Sequence, residues 1–232
     1  MGVESKELTA DRYEAVDRFL SNLLAPNDAA LEGALKASTV AGLPEIQVSP
    51  TQGKLLHMLA SLQGAKRILE IGTLGGYSAI WMARALPADG RLITLEYDPK
   101  HAEVARANVE RAGLADRVEI RVGAALSLLP GIAAEKRGLF DLVFIDADKE
   151  NNPAYFDWAL RLTHRGSLIL IDNVVRDGAI LDAASVEPAV KGTRKALELM
   201  ASDPRVSSTA LQLVGTKGWD GIAIALVTGG AS

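Results

Sequence analysis

Two apolar runs in the second half of the chain end in side chains able to do chemistry. Residues 140–145 read as a buried strand that finishes in Asp146, Asp148 and Lys149, and residues 167–171 read as another that finishes in Asp172 and Asn173. Neighbouring parallel strands lie about 4.8 Å apart, so Asp146 can approach Asp172 and Asn173 at one sheet edge. Two carboxylates and a carboxamide converging there repel unless a cation or a proton intervenes. Oxygen-only donors suit Mg²⁺, Mn²⁺ or Ca²⁺ rather than zinc or copper. Taken singly, each acid is explained as well by a helix cap after a strand. The triple arrangement on adjacent strands favours the metal reading.

A second constellation lies upstream. Ile68, Leu69 and Ile71 form an apolar run that breaks at Gly72; Gly75 and Gly76 follow, and a helical pattern begins at Tyr77. This is a buried strand entering a glycine-rich turn and a helix N-terminus, where backbone can approach a ligand because no Cβ intervenes. A tight strand-to-helix turn is the alternative. The spacing E-x-G-x-x-x-G (Glu70, Gly72, Gly76) departs from the G-x-G-x-x-G of dinucleotide folds. Glu96, twenty residues after Gly76, ends the next strand and can accept hydrogen bonds from both ribose hydroxyls of a nucleoside. Asp98 is better placed to cap the helix that follows. Gly123 and Ala124 at the third strand end leave room for a flat adenine ring, or for close packing alone. Such a pocket suits NAD as well as S-adenosylmethionine.

The elements that must carry these residues alternate. Strands are expected at 67–71, 91–96, 117–122, 140–145 and 167–172, with helices at 77–86, 99–112, 124–134, 152–162 and 188–202. That rhythm demands crossover connections, hence a parallel sheet covered on both faces. Residues 206–214 and 221–227 are two β-rich runs with no helix between them, so they are expected to form an antiparallel hairpin at the sheet edge, with Trp219 exposed in its turn. Upstream, Tyr13, Val16, Phe19, Leu20, Leu23 and Leu24 fall at helical spacing in an amphipathic helix over 10–24, capped by Thr9 or Asp11. Further helices are expected at 28–39 and 51–63, joined by a loop over 42–50. Trp81 and Trp158 read as core.

Bulk properties exclude several classes. The chain has 232 residues, 48% hydrophobic and 23% charged, with a net charge of −4. No long basic run offers a nucleic-acid footprint. No cysteine is present, which removes disulfides, thiolate metal sites and cysteine nucleophiles. His57, His101 and His164 are far apart and read as surface or packing residues. The charged start (Glu4, Lys6, Glu7, Asp11, Arg12) lacks a signal-peptide core, Met1-Gly2 lacks the Ser or Thr at position 6 that myristoylation wants, and no apolar run reaches the roughly 18 residues of a membrane span. A cytoplasmic protein is expected.

The glycine spacing, the acid at 96 and Gly123-Ala124 are similar, in order, to the motifs of class I S-adenosylmethionine-dependent methyltransferases. D-A-D-K (146–149) followed by I-D-N (171–173) resembles the cation-dependent O-methyltransferases, the group of catechol and caffeoyl-coenzyme A O-methyltransferases. The resemblance covers residues 46–227. It implies a Rossmann-like α/β fold with a seven-stranded, mostly parallel sheet, as one domain with N-terminal helices and a lid region over 1–63 and the core over 64–232. It implies Asp146, Asp172 and Asn173 as ligands of a divalent cation, Mg²⁺ first, and Lys149 as the base, with Asp146 also catalytic. Val48, Glu70, Gly72, Thr73, Gly76, Tyr77, Ser78, Glu96, Gly123, Ala124 and Asp146 would contact S-adenosylmethionine. Asp148 occupies a variable place in the motif and is given no catalytic role.

This chemistry is coherent on its own terms. A cation bound to two adjacent substrate oxygens lowers their pKa, and depresses a nearby lysine below its usual value of about 10.4. Val174-Val175 stand where plant members often carry a tryptophan, which points away from a caffeoyl-coenzyme A acceptor and toward a small vicinal diol. Substrate choice is expected from residues 24–49 and 174–189, with Arg176, Asp177 and Ile180 as pocket candidates, and a homodimer is implied. A transfer-RNA hydroxyuridine O-methyltransferase of the same fold group and an NAD-linked reductase or nucleotide-binding module are the alternatives. The acidic charge disfavours the first, and the absence of G-x-G-x-x-G and of Tyr-x-x-x-Lys disfavours the second.

Overall fold

The computed structural model describes residues 9–229; Glu4, Lys6, Glu7 and the Met1-Gly2 pair lie outside the described residues. Three helices come first: α1 (Ala10–Leu24), α2 (Ala29–Val40) and α3 (Pro50–Leu62). The alternating part follows as β1 (Arg67–Ile71), α4 (Tyr77–Ala83), β2 (Arg91–Glu96), α5 (Pro99–Arg111), β3 (Val118–Val122), α6 (Ala125–Ala134), β4 (Phe140–Ile145), α7 (Asn152–Leu162), β5 (Thr163–Asp172) and α8 (Pro188–Ser202). The hairpin β6 (Val206–Gly215) and β7 (Gly218–Val227) closes the order. The seven strands form one sheet, β3-β2-β1-β4-β5-β7-β6, parallel except for β7, which runs antiparallel to both its neighbours. The expected α/β class and hairpin are as read from the sequence.

Strand side chains alternate between faces, and the core divides accordingly. Leu69, Ile71, Val143, Ile145, Ile169 and Ile171 pack on one face with Leu129 of α6, Phe156 of α7 and Met200 of α8. Ile68, Leu142, Phe144 and Leu170 pack on the other with Leu31 of α2, Leu56 of α3 and Ile80 of α4. The central strands β1, β4 and β5 are buried on both faces and are therefore mostly apolar, which is why they read clearly in the sequence. At the sheet edge, β3 keeps Glu119 and Arg121. The strand ends step past one another in a regular ladder: Asp146 N donates to Ile71 O, Gly72 N to Leu95 O and Gly123 N to Glu96 O. Residues 72, 96, 123 and 146 therefore gather at the carboxyl edge of the sheet, beside the reversal of strand order at β1 and β4, where ligands bind in such folds.

Three expectations, on the cap of α1, the hairpin turn and the start of β5, need correction. The amphipathic helix over 10–24 is present with its apolar side turned outward, Phe19 being 64% exposed and Leu23 63%, while its buried residue is Asp17. Asp17 Oδ2 accepts Thr216 N at 2.9 Å and Thr216 Oγ1 at 2.8 Å, and Oδ1 accepts Thr51 Oγ1 at 3.2 Å, so polar bonds to the hairpin turn set the helix orientation. Thr9 precedes α1 without a side-chain capping bond. The hairpin turn is only Thr216-Lys217, which places Trp219 within β7, its Nε1 donating to Gln212 Oε1 at 2.8 Å. β5 starts at Thr163, because Thr163 pairs with Phe140 across a register shift in a stretch too polar to announce a strand. Trp81 is buried and Trp158 packs on the core, as expected. Among the described residues no helix is long and apolar enough to cross a membrane.

Candidate active site

The glycine turn after β1 is shaped by its neighbours. Gly72 has φ +99°, and a Cβ there would lie 2.0 Å from the carbonyl oxygen of Asp146, so only glycine lets the ends of β1 and β4 meet. A Cβ on Gly75 would lie 2.1 Å from Ser38 Oγ of α2. The fully buried Asn108 of α5 donates to Gly75 O at 2.9 Å and Ala34 O at 3.3 Å, tying the turn to α2 and α5. Glu96 holds the turn from β2: Oε2 accepts Thr73 N at 3.1 Å and Leu74 N at 2.7 Å, and Oε1 accepts Asp98 N at 2.9 Å. A carboxylate has about four acceptor directions, so a bound hydroxyl shares Glu96 with three protein donors. His101 Nδ1 lies 3.6 Å from Glu96 Oε1 on the same wall.

Glu70 lies behind this wall. It is wholly buried and bonded at 2.6 Å to both Ser78 Oγ and Thr94 Oγ1. Burial pushes its carboxyl up to about 8, against the pull of those two hydroxyls. Ser78 faces the cavity and Glu70 does not, so Glu70 bears on a ligand through Ser78. Gly76 is likewise off the wall; with φ +80° it starts α4 and packs on Ala105, where a Cβ would meet Ala105 Cβ at 3.3 Å.

The acid end is built by β4 and β5. Lys149 Nζ donates to Asp146 Oδ1 at 2.7 Å. Asp148 accepts Tyr155 Oη at 2.6 Å and the Asn151 carboxamide, fixing the short helical turn that carries Lys149. Asp172 is 4% exposed, and burial together with the Asp146 charge pushes its carboxyl up to about 7 while Lys149 pulls the other way. Asn173, at φ +56°, turns the chain at the end of β5 in the left-handed region that asparagine tolerates. The Gln52 carboxamide at the start of α3 bears on Asp172 and, as a donor, pulls its carboxyl down against the larger effect of burial. Among the described residues no group of three or more His, Cys, Asp or Glu side chains is placed to hold a metal. The oxygen set Asp146, Asp172 and Asn173, with a buried carboxylate disfavoured as an anion by its neighbour, fits a hard divalent cation.

The glycine turn, Glu96 and the acid end face one cavity of about 940 Å³. Of the residues expected at the site, it is lined by Val48, Gly72, Thr73, Tyr77, Ser78, Glu96, Gly123, Ala124, Asp146, Lys149, Asp172 and Asn173. The loop before α3 contributes Glu45, Ile46 and Gln47 as well as Val48, as expected of the stretch 24–49. The stretch 174–189 does not contribute: Val174 and Val175 are buried in the core, and Arg176, Asp177 and Ile180 lie off the wall. Gln52, His101, Tyr155 and Lys217 line the cavity without having been singled out. His101 follows Glu96 by less than two helical turns and was the one detectable from spacing.

Comparison with known proteins agrees with this geometry. The model of the O-methyltransferase family matches residues 24–226. The chain is 54% identical over 215 residues to the catechol O-methyltransferase of Niastella koreensis, covering 93% of this chain and 97% of that one. It is 56% identical over 212 residues to the catechol O-methyltransferase of Mycobacterium tuberculosis, covering 91% and 94%. The structure of the O-methyltransferase from Bacillus cereus in complex with SAH superposes with a TM-score of 0.93 at 54% identity, over 95% of this chain and all of that one. The O-methyltransferase TomG from Streptomyces achromogenes, in complex with SAM, gives a TM-score of 0.93 at 47% identity, over 96% of this chain and 100% of that chain. A glycine turn and an acid-lined strand edge facing one cavity, in a chain matched by the family model over residues 24–226, place it in the O-methyltransferase family.

Proposed function

We propose that this enzyme transfers the methyl group of S-adenosylmethionine to one hydroxyl of a small vicinal dihydroxy aromatic, with a divalent cation, Mg²⁺ first, held by Asp146, Asp172 and Asn173. The observation that carries this reading is the buried Asp172 beside Asp146, opening on the same cavity as the glycine turn and Glu96. Glu45, Glu96, Asp146, Asp148, Glu150 and Asp172 line that cavity against Lys149 and Lys217, a surplus of negative charge suited to a sulfonium donor and a hard cation. The names of the relatives and the ligands of the solved neighbours support the donor and the acceptor class. Nothing in the site favours the reductase or the transfer-RNA reading.

Methyl transfer from sulfonium to oxygen is an in-line displacement that needs an oxyanion and correct alignment. When bound, a divalent cation lowers the pKa of hydroxyls on adjacent carbons and fixes their orientation. The chain supplies the rest. Gly72, Thr73, Ser78, Glu96, Gly123 and Ala124 present the donor's binding wall. Lys149, now paired with Asp146, stands on the same wall and can receive the acceptor proton at Nζ once its ammonium has released a proton to solvent. Asp148 and Tyr155 keep the turn beneath it in place. The chelator experiment is decisive: catechol methylation in Mg²⁺ should vanish in EDTA and return on adding Mg²⁺ or Mn²⁺. Full activity in chelator would refute the ligand assignment.

A second copy of the chain is part of the proposal. Val16, Phe19, Leu23 and Leu24 on α1, with Leu211 and Val214 on the edge strand β6, leave an exposed apolar surface of the kind that pairs subunits.

A further inference from the structure

Beside the main cavity lies a smaller chamber of about 170 Å³, and the two share Gln52, Asp172, Asn173 and Lys217. These four residues form a seam at the proposed diol-binding edge, so a ring held there directs its substituent along Lys217 or into the chamber. The charged groups facing the chamber are Asp17, Asp172, Asp220 and Lys217. Asp17 accepts three bonds from Thr51 and Thr216. Asp220 Oδ1 accepts the backbone N–H groups of Val175, Arg176 and Gly221. These two acids are committed to the fold.

Lys217 is differently placed. It stands in the two-residue turn of the hairpin, and its Nζ donates to a neutral acceptor, Glu45 O, at 2.7 Å. Among the described residues no carboxylate lies within ion-pair distance of it; Glu45 acts on it only as a more distant charge. The residue is exposed to solvent, though nearby protein desolvates its ammonium enough to pull the pKa down. An ammonium carries three donors, so two are unspent. Gln52, which bears on Asp172, places its carboxamide at the same seam.

Resting on the diol reading above, we propose that Lys217 selects the acceptor's ring substituent, and that the preferred acceptors are dihydroxy aromatic acids whose carboxylate accepts from Lys217 Nζ. The proposal is tested by titrating 3,4-dihydroxybenzoate and 3,4-dihydroxyphenethylamine calorimetrically into the full chain with Mg²⁺ and no methyl donor. In parallel, kcat/KM is measured for both and for catechol. The benzoate should bind about tenfold tighter than the amine. Lys217→Glu should reverse that order and Lys217→Arg should keep it. A wild-type preference for the amine, or equal shifts for both acceptors in Lys217→Glu, overturns the assignment while methylation of catechol leaves the parent reading standing. Wild-type enzyme that methylates none of the three removes both.

Discussion

Asp172 is held at a cost to the fold. Its folded pKa of about 7 lies above the ordinary value of 3.8, so the metal-free folded state keeps a proton that the unfolded state has lost between those values. Stability of the metal-free enzyme should therefore fall as pH rises from about 4 through 7. Asp172→Asn should raise the midpoint of thermal unfolding at pH 8 without metal, while lowering kcat/KM for catechol by at least ~100-fold, about 2.7 kcal/mol of lost transition-state binding. Glu70 imposes a similar slope at higher pH. Raised from 4.5 to about 8, it favours the folded state fully below 4.5 and loses that contribution as pH climbs through 8. Urea titrations between pH 5 and 9 should show a stability decline of up to ~1.4 kcal/mol per pH unit that Glu70→Gln flattens. Asp146, Asp172 and Asn173 were legible because each ends an apolar run abruptly. Lys217 was not: its contact spans 172 positions to Glu45, and no local pattern marks a partner so distant. Glu70 read as a ligand contact through the motif resemblance, whereas strand alternation turns its side chain under the turn.

At the scale of elements, the clearest dependence is of the lysine-bearing turn on α8. A Cβ added to Gly192 would lie 2.2 Å from Lys149 O and 2.6 Å from Glu150 Cα. Gly192→Ala must therefore displace the helix or the turn, with an expected stability loss of roughly 1–3 kcal/mol and a fall in kcat larger than the change in donor affinity. Chemical denaturation and donor calorimetry on one preparation separate the two. Asp17→Ala should cost about 1–3 kcal/mol by leaving the Thr216 amide without its acceptor. The parallel strands were readable to within a residue or so at their carboxyl ends, since burial makes most of each central run apolar up to the polar residue that ends it. The orientation of α1 was not, because its apolar periodicity says which residues share a face and not what covers it. Asp17, a polar residue beside that stripe, decides the packing through bonds to residues about 200 positions away.

At the scale of the whole molecule, the exposed stripe of α1 and the open edge of β6 predict self-association. Light scattering should give the mass of two chains, and Phe19→Asp combined with Leu23→Glu should give one, with the far-ultraviolet spectrum unchanged. The meeting of Gly72 with the backbone of Asp146 has a different reach. Strand termini pressed that close cannot part or slide, so the sheet side of the cleft is rigid before anything enters it. Yielding on ligand entry must then concentrate across the opening, in the stretch between α2 and α3, which is tied to the hairpin turn by the Lys217–Glu45 bond. Amide exchange should be slow at 70–76 and 144–147 and fast at 44–48, and the methyl donor should slow only the latter: the cleft has one fixed jaw and one hinged one.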